Sequence, residues 1–209
     1  MTMPSTEPLP ARQAAYLVLR AETRGLEFKE SMDWGEIDDR LELVRTFMAM
    51  SNLPDGGAVV IGVRENADGT YTTVGMLQAH YDSFDPDDVA AQTARYADPP
   101  VDMRTVKGLH EDRRFTVIEI EPSTEVPTIC RQAHGSGSGV LREGAVYVRP
   151  AGTPRTEEVH TYRDMRAIID QAVERRIERF RELGLLPALG AESAAGHREA
   201  LDSEIEDLL

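Results

Sequence analysis

The sequence predicts an α+β domain, with a single mixed, largely antiparallel sheet and flanking helices, followed by a long C-terminal helix and an acidic tail. Its 209 residues are 41% hydrophobic, which is enough for one domain with a sizeable core. Helical and strand patterns alternate along the chain, and turn motifs pair several strands as hairpins. These observations favour one mixed sheet over a doubly wound parallel fold.

Hydrophobic spacing and turn residues predict five elements in the first half of the chain. Leu26 and Phe28 share one face of a short strand. A near-continuous apolar run after a Pro-Asp-Gly-Gly turn indicates a central strand that is buried on both faces. The elements are a helix over 11–21, a strand over 26–28, a helix from an N-cap at Asp38 or Asp39 to Met50, a central strand over 58–63 and its hairpin partner over 71–74.

Capping motifs mark two helices in the second half. Asp85 followed by Pro86 is typical of an N-cap and the first helical position. Thr161 and Asp164 resemble a capping box. The predicted elements are a helix over 86–96, strands over 102–106 and 115–120 around a turn at 108–112, a strand over 145–149 and a long helix from 161 that Gly184 ends.

Composition divides the chain into a disordered leader over 1–10, a domain over 11–184, and a linker with an acidic tail over 185–209. The Gly-Ser repeat at 135–139 is typical of a mobile loop. Closure of this loop over a ligand is the alternative interpretation. No stretch is long and apolar enough for a membrane span, and the first residues lack the features of a secretory signal.

Charge and cysteine content limit the classes of function. The net charge of −14 argues against coating nucleic acid through bulk positive charge. Nine arginines nevertheless cluster between Val140 and Arg181, so a basic face on an acidic protein is possible. Cys130 is the single cysteine of the sequence, which excludes an internal disulfide and favours a reducing, cytoplasmic location.

The segment around GLEFKES carries the first candidate site. Glu22 precedes Glu27 by five residues, and Lys29 lies on the same strand face as Glu27. One interpretation is a solvated surface with a weak Glu27–Lys29 pair. The other is part of an acidic metal site, because carboxylates bind Mg²⁺ and a nearby lysine can stabilise charge on a phosphate. Spacing alone leaves both open.

An ordered set of motifs resembles the Schlafen-type AlbA-like domain. The set comprises Glu22 with LEFKES, then AMSNLPDGGAVVIGV, FTVIEI and GAVYVRPAGTPRTEE, and it covers residues 20–170. Bacterial members of this family are described as nucleic-acid binders. The animal Schlafen proteins carry two such lobes in a horseshoe, and several of them cleave tRNA or other RNA.

The resemblance implies a metal site of three acidic residues, which correspond here to Glu22, Glu27 and Glu65. Lys29 would then stabilise charge on the phosphate, and Mg²⁺ or Mn²⁺ would be the metal. Active members of the family have aspartate at the third position, so Glu65 is a departure that puts the metal geometry in doubt. The loop before Gly56 is also one residue longer than the common pattern.

Four other residues are candidates for contact with nucleic acid. The resemblance places the strand around Arg149 near the binding groove, so Arg142, Arg149 and Arg155 could contact phosphates. The alternative is solvated surface with local pairing to Glu157 and Glu158. Trp34 could stack on a base, or it could be a local packing anchor.

Two functions follow as hypotheses. The first is a Schlafen-type nucleic-acid-binding protein, which as an enzyme would be a metal-dependent endoribonuclease acting on tRNA or other structured RNA, with RNA favoured over DNA. The second is a non-catalytic module for DNA binding, transcription control or protein interaction. Because the animal relatives build their groove from two lobes, a homodimer is expected, and the acidic tail could bind a protein partner.

Overall fold

The computed structural model describes residues 7–19, 21–123, 127–134 and 141–185. By contacts the chain divides into two units, Met1–Ala172 and Val173–Leu209. The helices are α1 (Ala11–Ala14), continued by a 3₁₀ turn (Ala15–Val18), α2 (Ile37–Ser51), α3 (Gln78–Ser83), α4 (Pro86–Ala94) and α5 (Tyr162–Glu182). The strands are β1 (Leu26–Lys29), β2 (Gly57–Ile61), β3 (Val63–Glu65), β4 (Tyr71–Thr73), β5 (Ala97–Asp98), β6 (Met103–His110), β7 (Arg113–Ile120), β8 (Ile129–Cys130), β9 (Tyr147–Val148) and β10 (Glu157–Glu158).

The main sheet has the strand order β1-β2-β7-β6. Strand β1 pairs with β2 in parallel, and the other two pairings are antiparallel. Helix α2 makes the crossover that a parallel pair requires. Three two-stranded pairs lie outside this sheet: β3-β4, β5-β8 and β9-β10. The predicted fold class is therefore confirmed.

Hydrophobic cores cover both faces of the sheet, because side chains alternate along each strand. Val59 and Ile61 of β2 point into the first core, which α2, α3 and α4 complete. Ala58 and Val60 point into the second core, where Leu26 and Phe28 of β1 join them. The central position predicted for β2 and the shared face predicted for Leu26 and Phe28 are both found.

The N-terminal residues contribute to the second core. Leu9 is buried there, and its amide donates to the Leu109 carbonyl at 2.7 Å. Residues 7–10, which the sequence assigns to a disordered leader, therefore pack on the sheet. Residues 1–6 lie outside the described part of the chain, as do the Gly-Ser loop at 135–139 and the tail from 186.

Several predicted boundaries are wrong. The first helix ends earlier than residue 21, and neither Asp38 nor Asp39 caps α2, whose N-cap is Glu36. Strands β6 and β7 continue to a tight turn at Glu111 and Asp112, where both residues have positive φ. Helix α3 and strands β5, β8 and β10 are additions, because elements this short carry little periodicity.

The capping predictions for the helices that follow Asp85 and Thr161 are confirmed. The Asp85 carboxylate accepts from the amides of Asp87 and Asp88, with Pro86 at the first helical position. At the start of α5 the Asp164 amide donates to Thr161 Oγ1 at 3.1 Å. Across the described residues, no helix has the length and apolar character that crossing a membrane requires.

Candidate functional site

Strand β1 carries the centre of the predicted site. Glu27 lies opposite Val59 of the first core, and it is 7% exposed. Lys29 projects from the same face of the strand, and its Nζ lies 2.8 Å from Glu27 Oε1. The predicted Glu27–Lys29 pair thus forms, but at a largely buried position where each charge needs a partner.

Arg149 provides the second partner of Glu27. Its side chain is completely buried, and its Nη1 donates to Glu27 Oε2. Its Nη2 donates to the carbonyl oxygen of Pro154 at 2.5 Å, while Arg24 Nε donates to the Arg149 carbonyl at 2.5 Å. Removal of one partner from a buried pair leaves an uncompensated charge, so loss of either side chain would destabilise the fold.

Lys29 also contacts helix α2. Its Nζ donates to Glu42 Oε1 at 2.5 Å. Burial alone lowers the pKa of Lys29, but the two carboxylates of Glu27 and Glu42 outweigh this effect and raise the pKa above its usual value. The side chain is therefore an ammonium ion held between two carboxylates.

Glu22 lies beside this group, just before β1. The amide of Phe28 donates to Glu22 Oε1 at 2.8 Å, which fixes the carboxylate against the strand. Burial raises the pKa of Glu22, and the charge of Glu27 raises it further, while the Phe28 amide, Lys29 and Arg149 oppose the shift. Glu22 and Glu27 are thus electrostatically coupled neighbours.

Glu65 is exposed at the end of β3, and its hairpin contacts β1 through Tyr71. The two residues are register partners in the β3-β4 hairpin, and the Tyr71 ring packs 5.0 Å from that of Phe28. Burial raises the pKa of Tyr71, and the carboxylates of Glu22 and Glu65 raise it further. Tyr71 also lines a cleft of about 580 Å³, formed by the β3-β4 hairpin and Leu17–Leu19.

The carboxylates as arranged do not fit a metal ion. Their chemistry suits Mg²⁺ or Mn²⁺, which take oxygen ligands. Glu27, however, is bound by Arg149 and Lys29, and Glu22 accepts a backbone amide. Across the described residues, no three acidic, histidine or cysteine side chains are grouped so that they could hold a metal. The metal site therefore stays a prediction, without geometric support here.

Of the four candidates for nucleic-acid contact, two are buried and two are exposed. Trp34 is buried beside Phe47 and Phe84, and its Nε1 donates to Asp88, so its ring has no free face for a base. Arg149 is buried as well, and its guanidinium contacts Glu27. These two placements correct the expectation that both residues contact nucleic acid directly.

Arg142 and Arg155 are exposed. Arg142 forms an ion pair with Glu158, which is the local pairing that the sequence left open. Arg155 lies between two anchored neighbours. The carbonyl of Pro154 accepts from Arg149, and Thr156 Oγ1 lies 3.4 Å from Thr46 Oγ1 of α2.

Sequence reasoning missed Arg24, Glu42 and Tyr71. Glu42 faces Lys29 because α2 packs beside β1, and no spacing in the sequence links the two residues. Arg24 lies two residues after Glu22, in a segment that is neither helix nor strand. Hydrophobic periodicity therefore cannot predict the direction of its side chain. Tyr71 could have been found, because it begins the predicted strand that returns alongside the segment carrying Glu65.

The charged groups around β1 thus come from distant parts of the sequence, between Glu22 and Arg149. The profile described as "Schlafen, AlbA_2" matches residues 22–156, which is more than half of the 209-residue chain. The chain belongs to the Schlafen AlbA_2 family. The match begins at Glu22 and includes Arg149, so the buried pair lies inside the family region. Membership of this family supports a nucleic-acid-related function.

Two solved structures are similar to this Schlafen AlbA_2 chain. The DIP2311 protein from Corynebacterium diphtheriae is 16% identical with a TM-score of 0.45, and the match covers 71% of this chain and 26% of that one. The N-terminal domain of a RecG-related protein from Nitrosomonas europaea is 22% identical with a TM-score of 0.41, and the coverages are 68% and 87%. The chain thus spans about a quarter of the Corynebacterium protein. A search among curated proteins gives no significant match.

Proposed function

We propose that this chain is a non-catalytic nucleic-acid-binding module that holds phosphates with Arg24, Lys29 and Arg155. The observation that carries the proposal is the Glu27–Arg149 pair, which anchors the segment after β9 beside β1. Arg155 follows directly in this segment, and Arg24 is tied to the Arg149 carbonyl. Arg24 and the segment that carries Arg155 thus both contact Arg149, and Lys29 shares the carboxylate of Glu27 with it.

Local placement of cations matters because the whole molecule is acidic. A net charge of −14 repels a polyanion at long range, so bulk attraction contributes nothing. Binding then depends on a few direct contacts, and phosphate contacts position a protein without reading sequence. We expect RNA, single-stranded or structured, to be preferred over DNA, and the location to be cytoplasmic.

A metal-dependent endoribonuclease is the second candidate. Coupling between the Glu22 and Glu27 carboxylates favours it, since a bound cation would relieve their repulsion. The ion pairs of Glu27 oppose it. Mg²⁺ or Mn²⁺ would have to be bound by Glu22, Glu27 and Glu65 in an arrangement different from the one described.

One experiment tests both candidates. Wild-type protein is titrated into labelled tRNA, single-stranded RNA and duplex DNA at several salt concentrations, with Mg²⁺, Mn²⁺ or chelator present. We expect binding without cleavage. The Arg24→Ala/Arg155→Ala variant should bind more weakly, and its slope of log K against log salt should fall by roughly 0.7 for each phosphate that the variant no longer neutralises.

The control is Arg95→Ala, because Arg95 is exposed at the end of α4 and contacts Gln92 of its own helix. Equally weakened binding in both variants would contradict the proposed surface. Metal-dependent shortening of RNA that disappears in Glu22→Gln and Glu65→Gln would replace the binding module with the nuclease. Glu27 variants are less suitable here, because they also disturb the buried pair.

Assembly belongs to the same proposal. We propose a homodimer in which two copies supply the two lobes that a groove needs, joined through the long helix or the acidic tail. The tail from residue 186 is also the proposed contact for a protein partner, and it lies outside the described residues.

A further inference from the structure

Lys29 is held between two carboxylates that differ in how firmly they are fixed. Glu27 is buried and is also bound by Arg149. Glu42 has a side chain that is 51% exposed, and Lys29 is its ion-pair partner within the described residues. Buried pairs are costly to break, whereas exposed pairs contribute little. Glu42 can therefore be exchanged for another anion, and Glu27 cannot.

We propose that Glu42 is an internal competitor, which occupies the anion position of Lys29 until a phosphate of bound nucleic acid displaces it. This inference rests on the proposed function above and assigns a role to a residue on α2. An ammonium group has three donors, and a phosphate oxygen is an acceptor of the same kind as a carboxylate oxygen. Exchange therefore replaces one charge-assisted hydrogen bond with another and releases Glu42 to water.

The position of Lys29 makes such a competitor effective. Its side chain is 23% exposed, so a ligand meets a small part of the ammonium group. Glu42 Oε1 lies 2.5 Å from Nζ, which is contact distance for a charge-assisted bond. A phosphate that approaches Nζ competes with this carboxylate for the ammonium charge, and the carboxylate also repels a phosphate nearby. A free anion that contacts Lys29 alone is thus disfavoured. A nucleic-acid backbone is favoured because other side chains of the protein hold it in place.

The test measures anisotropy of a short fluorescein-labelled single-stranded RNA with wild-type protein, Glu42→Gln, Lys29→Met and the double variant. The matched control is Asp38→Asn, which removes one charge from an exposed position one turn earlier on α2. Glu42→Gln should bind about two- to fivefold more tightly than wild type, which is the fold-change expected when an exposed pair no longer competes. Asp38→Asn should show a smaller gain.

The double variant identifies the route of the effect. If Glu42 acts through Lys29, the gain from Glu42→Gln should vanish in the Lys29→Met background. A gain that persists there, or an equal gain in Asp38→Asn, would overturn this inference and leave the proposed function standing. Failure of both wild type and Glu42→Gln to bind RNA or tRNA would overturn the two together.

Discussion

Arg149 determines whether the buried charges of the site are balanced. Arg149→Met leaves Glu27 buried with Lys29 alone, so we expect the free energy of unfolding to fall by about 3–5 kcal/mol. Urea denaturation monitored by circular dichroism measures this change. The paired replacement Glu27→Gln/Arg149→Met should be destabilised by less than the sum of the two single variants, because it removes both charges.

The control for Arg149 is Arg142→Met, because the Arg142–Glu158 pair is exposed on the arginine side. Arg142→Met should lower the free energy of unfolding by no more than about 1 kcal/mol. Similar destabilisation by Arg142→Met and Arg149→Met would show that the Glu27–Arg149 pair is not the buried contact described here.

At the residue scale the sequence indicated some of the side chains that meet around β1 but not their contacts. Strand periodicity places Glu27 and Lys29 on one face, whereas Glu22 was a candidate because of its spacing from Glu27 and the family resemblance. The link between Glu27 and Arg149 spans 122 residues, and local patterns carry no information over such a distance. Residue type alone predicts that an arginine is exposed. The burial of Arg149 depends on the residues that pack around it, which its own sequence position does not reveal.

The turn before β2 determines where the parallel strands begin. Gly56 has φ +65°, and a Cβ added there would lie 2.0 Å from the Ile120 carbonyl oxygen. Gly56→Ala therefore combines a strained backbone with a backbone clash, and we expect the free energy of unfolding to fall by about 3 kcal/mol or more. Thermal or urea unfolding of the purified variant measures it.

Gly69 provides the comparison, because it has φ +77° and open space around its Cβ position. Gly69→Ala should cost about 1–2 kcal/mol, which is the backbone term alone. If Gly56→Ala destabilised the protein no more than Gly69→Ala, the turn would have to move away from β7 without penalty.

Elements were predictable where they were long or marked by specific residues. Strand β2, helix α4 with its Asp85 cap and the start of α5 all carry such signals. Strands β5, β8 and β10 have two residues each, and they exist because a partner strand lies beside them. The turn between β6 and β7 was predicted over 108–112 and is confined to Glu111 and Asp112, which are not the glycine or asparagine that such turns usually contain.

For the whole molecule, the proposed homodimer leads to a prediction about mass. Light scattering of the purified protein at micromolar concentration should give twice the mass of one chain. Val173 and Leu183 of α5 are 50% and 61% exposed. If this helix forms the interface, Val173→Asp/Leu183→Asp should yield monomers, because charges in an apolar contact oppose association. Glu174→Gln/Glu178→Gln, on the same helix, should leave the mass unchanged. A monomeric wild type would contradict the prediction.

The long sequence separation between Glu27 and Arg149 has a consequence for biosynthesis. Strand β1 is synthesised early in translation. Glu27 stays without Arg149 until 122 further residues have been added to the chain. Closing so long a loop is entropically costly and contributes to slow folding. A chain still on the ribosome therefore has no completed site until the segment around Arg149 has emerged. An mRNA truncated before this segment would yield a protein without the Glu27–Arg149 pair, so the proposed binding site would never form in the truncated product.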